Sequence, residues 1–328
     1  MWHAVLGVAA AAWAPWAAAQ RTAADSRPVI AQAADPATGP IADPAVAPVP
    51  ATADGGSPDR PRLPLWELGF GVAGLSLPDY RGADQRSGYL LPLPYLIYRG
   101  TFLRSDRDGA RAVFVDTERV EVDLSVSGSA PAKSDASGAR AGMADLPASF
   151  ELGPNLNLTL WRERAGPRAE VAHLDVRLPV RAAITVQRSP RSIGWVFAPN
   201  LNLDLPGAVD RWNLGLAAGP QWGSRAYHQH YYGVNAADAV STATLQRPAY
   251  QARGGYAGWY ALVAMSRRFE RAWVGGYVRY DRLAGAVFDD SPLVRRRQGV
   301  SAGIGVAWVF ANSATLVDVP PHDAGVAR

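Results

Sequence analysis

The sequence contains no cysteine and only one lysine, Lys133, among its 33 basic residues. Without cysteine there is no disulfide framework, no thiolate metal site and no thiol nucleophile, and no lipid anchor of the cysteine-linked kind is expected. The remaining basic charge is arginine, set against 29 acidic residues for a formal net charge of +4. No nucleic-acid partner is expected of a chain that reads as exported. Long apolar runs are also scarce. Past the first residues no stretch reaches the 18 or so apolar positions a helical span requires. Gly-x-Ser-x-Gly, a phosphate loop and a paired-acid motif are all missing, so no catalytic, cofactor-binding or metal residues are assigned and no enzyme is expected.

The chain opens M-W-H-A-V-L-G-V-A-A-A-A-W-A-P-W-A-A-A-Q. The apolar run is broken by Pro15 and ends in Ala17-Ala18-Ala19, the small-residue pattern of a signal-peptidase site, so residues 1–19 are expected to be a cleaved export signal. Residues 20–62 are dominated by Ala, Pro, Asp and Thr without hydrophobic period. They offer too little bulk to offset chain entropy and are expected to form a disordered linker.

From Leu65 to Phe310 the pattern has period two. Trp66, Leu68, Phe70 and Val72 alternate with Glu67, Gly69, Gly71 and Ala73. Val120 to Val126 alternate with Glu121, Asp123 and Ser125; Leu152, Leu156, Leu158 and Leu160 with Glu151, Asn155, Asn157 and Thr159. Leu174 to Val186 alternate with His173, Asp175, Arg177 and Arg181, and Val300 to Phe310 with serine and glycine. Alternation this long excludes a helical protein. A sheet of about twelve strands closed as one barrel encloses a lumen too wide for side chains alone to fill, so an apolar interior would be wet. Turned inside out, the same pattern puts Leu and Val on lipid and the polar set inside, and windows of about ten residues match a tilted strand crossing hydrocarbon. Aromatics at the window ends, such as Trp195, Trp212, Tyr280 and Trp308, fit interfacial girdles.

The expected fold is therefore all-β: a transmembrane antiparallel up-and-down β-barrel over residues 63–310, followed by a tail at 311–328. Twelve strands are counted. Ten stays open because Pro92, Pro94, Pro154, Pro179, Pro199 and Pro220 fall inside strand windows and each removes a ladder donor. Connections alternate between short (around 99–100, 116–118, 162–169, 206–210 and 270–271) and long (76–88, 129–147, 223–257 and 284–298). In Gram-negative outer-membrane barrels the short turns are periplasmic and the long loops face outward.

Four segments carry a family resemblance: G-F-G-V-A-G-L-S-L-P-D-Y-R-G-A-D at 69–84, L-P-L-P-Y at 91–95, Y-Y-G-V at 231–234 and R-L-A-G-A-V-F-D-D-S-P-L-V at 282–294. In this order the chain resembles the MipA/OmpV family of outer-membrane proteins. The resemblance implies a barrel in the cell outer membrane, in contact with its lipid and lipopolysaccharide. It also implies a scaffold that brings a lytic transglycosylase together with a bifunctional murein synthase. A pore for small solutes using the polar lumen is the alternative. A scaffold can have a lumen closed by pairs among Arg177, Arg181 and Arg279 and Glu121, Asp123, Glu151 and Asp281, whereas a pore needs an open path between them. The resemblance also implies a last strand ending on an aromatic residue, and here Phe310 is followed by eighteen more residues.

Four other groups are candidate sites. His228 and His230, in Y-H-Q-H-Y-Y-G-V, would share a face on a strand and could share a metal ion, but Asp238 lies at no recognisable ligand spacing. They are read as exposed residues of the longest outer loop. Asp289 and Asp290 are read as turn-capping residues rather than as a divalent-cation site. His173 and Asp175 share a lumenal face, which polar residues do in every such barrel. Arg295, Arg296 and Arg297 could meet lipopolysaccharide phosphates, to which guanidinium forks are suited.

Overall fold

The computed structural model describes residues 62–99, 103–106, 109–117, 119–134, 138–165 and 170–318; the expected signal peptide and nearly all of the expected linker lie outside them. A three-residue strand β1 (Arg62–Pro64) precedes β2 (Trp66–Pro78) and β3 (Arg86–Arg99). The short β4 (Leu103–Asp106) and β5 (Gly109–Asp116) follow, then β6 (Val120–Ser129), β7 (Ser149–Ala165) and β8 (Glu170–Thr185). Next come β9 (Ser192–Phe197), β10 (Asn200–Val209) and β11 (Trp212–Gly223). The longest connection carries helix α1 (Arg225–Tyr232) and a small hairpin of β12 (Val240–Ser241) and β13 (Gln246–Arg247). The chain then forms β14 (Gly255–Arg268), β15 (Ala272–Arg282), β16 (Gln298–Asn312) and β17 (Leu316–Asp318).

Every pairing in the main sheet is antiparallel, and the sheet closes on itself. From β10 it runs through β11, β14, β15, β16, β2 and onward to β8, and β8 pairs back to β10, with Asp204 opposite His173 and Leu201 opposite Val176. Strands β9 and β10 share both neighbours, β8 and β11, at different heights. They are one wall strand interrupted at Ala198-Pro199, so thirteen named strands make twelve staves.

Four of the six prolines have local accounts. Pro199 marks that interruption. Pro220 precedes a register shift against β14, opposite Trp259. Pro92 and Pro94 lie on β3 where its only described partner is β2, because β4 meets β3 through Tyr98 and Arg99 alone. A missing donor costs least on such an edge. The β10–β11 turn is a two-residue hairpin between Val209 and Trp212, tighter than the 206–210 link expected. Asp210 and Arg211 both have positive φ, 42° and 65°, as the turn that matches strand twist demands.

Alternation places side chains as the sequence implied. Glu67, Asp123, Glu151, Asn155, Asp175, Arg181, Asn202 and Asp281 are buried inside, while Phe70, Leu152, Leu160, Val278, Ile304, Val306, Trp308 and Phe310 are exposed on the outer wall. An apolar outer surface this extensive is the reverse of what a water-facing protein presents. Among the described residues no helix is long and apolar enough to cross a membrane. Below the wall β1 pairs with β17, Arg62 opposite Asp318 and Pro64 opposite Leu316, so the segment after Phe310 is joined to the segment preceding β2.

Candidate functional site

The largest cluster of buried apolar side chains lies not in the wall but at the long-loop end of the barrel. It joins Tyr80 and Ala83 from the β2–β3 loop, Leu146 from the β6–β7 loop, Tyr231, Tyr232 and Val234 from α1 and its exit, and Leu283, Phe288 and Leu293 from the β15–β16 loop. Three of the four segments that carry the family resemblance therefore meet in one place.

Helix α1 forms where the sequence reading had an extended loop, and capping explains why. Ser224 Oγ accepts the Tyr227 amide at 3.2 Å as an N-cap, and also the Trp195 amide at 3.1 Å, which fastens the helix start to β9. Gly194 lets the two approach. Its φ is +106°, and a Cβ there would stand 2.0 Å from Ser224 Oγ. The helix presents Tyr227, His228, Tyr231 and Tyr232 to the barrel and loops. Tyr227 donates to Glu151 Oε1 (2.9 Å), Tyr231 OH lies 3.1 Å from the hydroxyls of both Ser129 and Ser149, and Tyr232 donates to Arg81 O (3.0 Å).

The expectation that His228 and His230 are exposed loop residues is corrected. His228 is fully buried, its ring 4.6 Å from that of Phe288, and its Nδ1 donates to Arg253 O at 2.6 Å. Nε2 is then the unprotonated nitrogen, and it is buried without a hydrogen-bond partner. Desolvation holds the pKa of His228 below that of a free imidazole, and His230 is lowered for the same reason. On the helix the two rings do not share a face. Asp289 and Asp290 do act in loop structure: Asp289 accepts the Gly285 amide at 3.0 Å, and Asp290 accepts the Tyr250 hydroxyl. Arg295 and Arg297 sit on the rim of this cap, well exposed, each 3.8 Å from a carboxylate, those of Asp84 and Asp289.

Beneath α1 lies a cavity of about 190 Å³ whose polar lining includes Ser127, Glu151, Arg181, Gln221 and Arg279. At ~30 Å³ per molecule it has room for roughly six waters. The charges around it are paired: Arg181 Nε with Glu151 Oε2 (3.1 Å), and Asp281 with both Arg279 and Arg81 (2.8 Å each). At the short-turn end Glu67 joins Arg99 (2.7 Å) and Arg268 (2.8 Å). Two of the pairings expected from the sequence, Arg181 with Glu151 and Arg279 with Asp281, form. Glu121 and Asp123 also accept from Asn157, and Arg177 stands near Asp175 and Asp204.

Those acids belong to a constellation that sequence reasoning left dispersed. His173 Nε2 is 3.4 Å from Asp175 Oδ2 and 3.2 Å from Asp204 Oδ2, and Arg177 Nη2 stands 3.7 and 3.6 Å from the same two oxygens. Lumenal alternation was the available signal for each residue separately. What brings Asp204 opposite His173 is the β8–β10 register, set by the broken β9–β10 strand.

A family model described as MltA-interacting protein MipA matches residues 70–310. Comparison with curated proteins finds no match.

Proposed function

The chain belongs to the MltA-interacting protein MipA family, and from that premise we propose that it is an outer-membrane adaptor that holds murein enzymes at the periplasmic face. The observation that carries this reading is the cap: α1 lies across the long-loop end, fastened by three tyrosine hydroxyls, over a cavity where Glu151 and Asp281 are paired with Arg181 and Arg279. A solute pore requires a wet, uncompensated path, whereas an adaptor requires only a rigid anchor. The apolar outer wall supplies the anchor in lipid, and the antiparallel ring pairs the strand backbones with one another over most of its length.

Orientation follows from loop length: the capped end faces outward, and the short turns, β1 and β17 face the periplasm. The partner named by the family description, a lytic transglycosylase, would then be met at the uncapped end, with the chain before Arg62 as a further contact. A bifunctional murein synthase would complete the assembly, and lipopolysaccharide would border the arginines of the cap rim.

The test is affinity capture with the detergent-solubilised chain from envelope extract, followed by titration of purified lytic transglycosylase. The reading expects saturable binding that survives removal of the 236–250 segment of the outer loop and is lost when short-turn residues are replaced. Failure of the purified transglycosylase to bind would remove the adaptor role.

A further inference from the structure

We propose that the lumen holds one divalent ion of the zinc class between His173, Asp175 and Asp204, linking β8 to β10. The inference is independent of the adaptor reading, since it rests on lumenal geometry alone.

His173 and Asp175 are two apart on β8 and face inward together, and Asp204 on β10 is the register partner of His173. Their three donor atoms lie within 4.8 Å of one another, and the two imidazole-to-carboxylate separations are 3.4 and 3.2 Å. Ligands placed tetrahedrally at ~2.0–2.1 Å from zinc stand about 3.3–3.4 Å apart, so the imidazole already stands at near-tetrahedral spacing from each carboxylate. Three protein donors leave a fourth position for water. One imidazole with two carboxylates suits zinc and its neighbours better than magnesium or calcium, which favour all-oxygen shells.

A second observation points the same way. Asp175 and Asp204 are only 5% and 6% exposed, and the Oδ1 atom of each is buried with no hydrogen-bond partner. Buried carboxylate oxygens in that condition call for a partner such as an ion. Asp204 is held in place by Asn202, whose Nδ2 donates to its Oδ2 at 2.6 Å, the outer support that ligating carboxylates commonly have. Arg177 offsets the acids from beyond hydrogen-bond length, leaving lone pairs available. Once the ion is bound, Arg177 becomes a like-charged neighbour that weakens its hold.

The experiment uses the full chain folded in detergent, stripped with a chelator and titrated with zinc chloride by calorimetry. One saturable site per chain is expected, weakened at least about tenfold in Asp175→Asn and in Asp204→Asn. Excess magnesium should not displace the zinc. Arg177→Met is expected to bind more tightly, a direction that a purely structural ion-pair network would not produce. Cobalt provides a second readout: four-coordinate visible bands should appear in the wild type and vanish in His173→Gln. That spectrum and the Arg177→Met titration decide the matter if a carboxylate variant does not fold. Absence of saturable zinc binding by the wild type, unchanged affinity in a folded Asp204→Asn variant, or weaker binding by Arg177→Met would overturn the proposal.

Discussion

Phe288→Ala removes a fully buried side chain at the centre of the cap. Phe288 is fully buried, stacked on Tyr232 with ring centroids 3.7 Å apart at 10°, and edge-on to His228 at 4.6 Å. Truncating a buried phenylalanine costs about 3–5 kcal/mol, the upper part of that range applying where neighbours cannot collapse into the space. Here Tyr232 is held by its hydroxyl on Arg81 O and His228 by its Nδ1 on Arg253 O, so both rings resist moving in. The cost falls on the cap, because the wall strands make no use of Phe288 in their ladders. At about 1.4 kcal/mol per tenfold, amide exchange in α1 should accelerate by up to two to three and a half orders of magnitude. The reporters are the His228 amide on Ser224 O and the Gly233 amide on Gln229 O. Mass-spectrometric exchange resolves α1 from β14 and β15. Unchanged protection in α1, or equal loss in α1 and the wall, would refute the idea of a separately stabilised cap.

Other perturbations test other parts of the structure. His228 has a depressed pKa in the folded cap, so its contribution is fully present above the unfolded value of about 6.5 and is lost as pH falls toward the folded one. With the intrinsic pH dependence of amide exchange divided out, protection in α1 should therefore fall between pH 7.5 and 5 more than in β15, and His228→Phe should flatten the difference; a pH-independent cap would contradict the buried, unpaired Nε2. Gly194→Ala should cost at least about 1–2 kcal/mol through left-handed strain and the displaced N-cap, read as a lower melting temperature of the cap. Leu158→Arg, on the outer wall, should cost about 2–4 kcal/mol on folding into lipid, whereas Asn157→Arg finds Glu121 and Asp123 and should be much milder. Equal penalties would mean that the inside and outside of β7 are misassigned.

The wall was legible because period two is local. Val176 and Asp175 declare opposite faces whichever strand lies beside them, and twelve staves follow from counting such windows. The cap was not legible, because its helix is eight residues long and polar by sequence, and α1 is held by contacts from residues more than a hundred positions away, such as Ser129 at the end of β6 on Tyr231. Reading H-Q-H as a strand or open loop missed Ser224 as an N-cap, the one local signal available. The His173 constellation was half legible. Alternation put His173, Asp175 and Asp204 in the lumen, but register between β8 and β10 is a property of pairing that no single window carries.

The claim that the barrel is closed is tested most directly by conductance across a planar lipid bilayer into which the purified chain has been inserted. The account expects no ohmic steps from the wild type and flickering openings from Phe288→Ala, whose cap is loosened. Steady, well-resolved steps from the wild type at neutral pH would contradict the closed lumen and restore the pore.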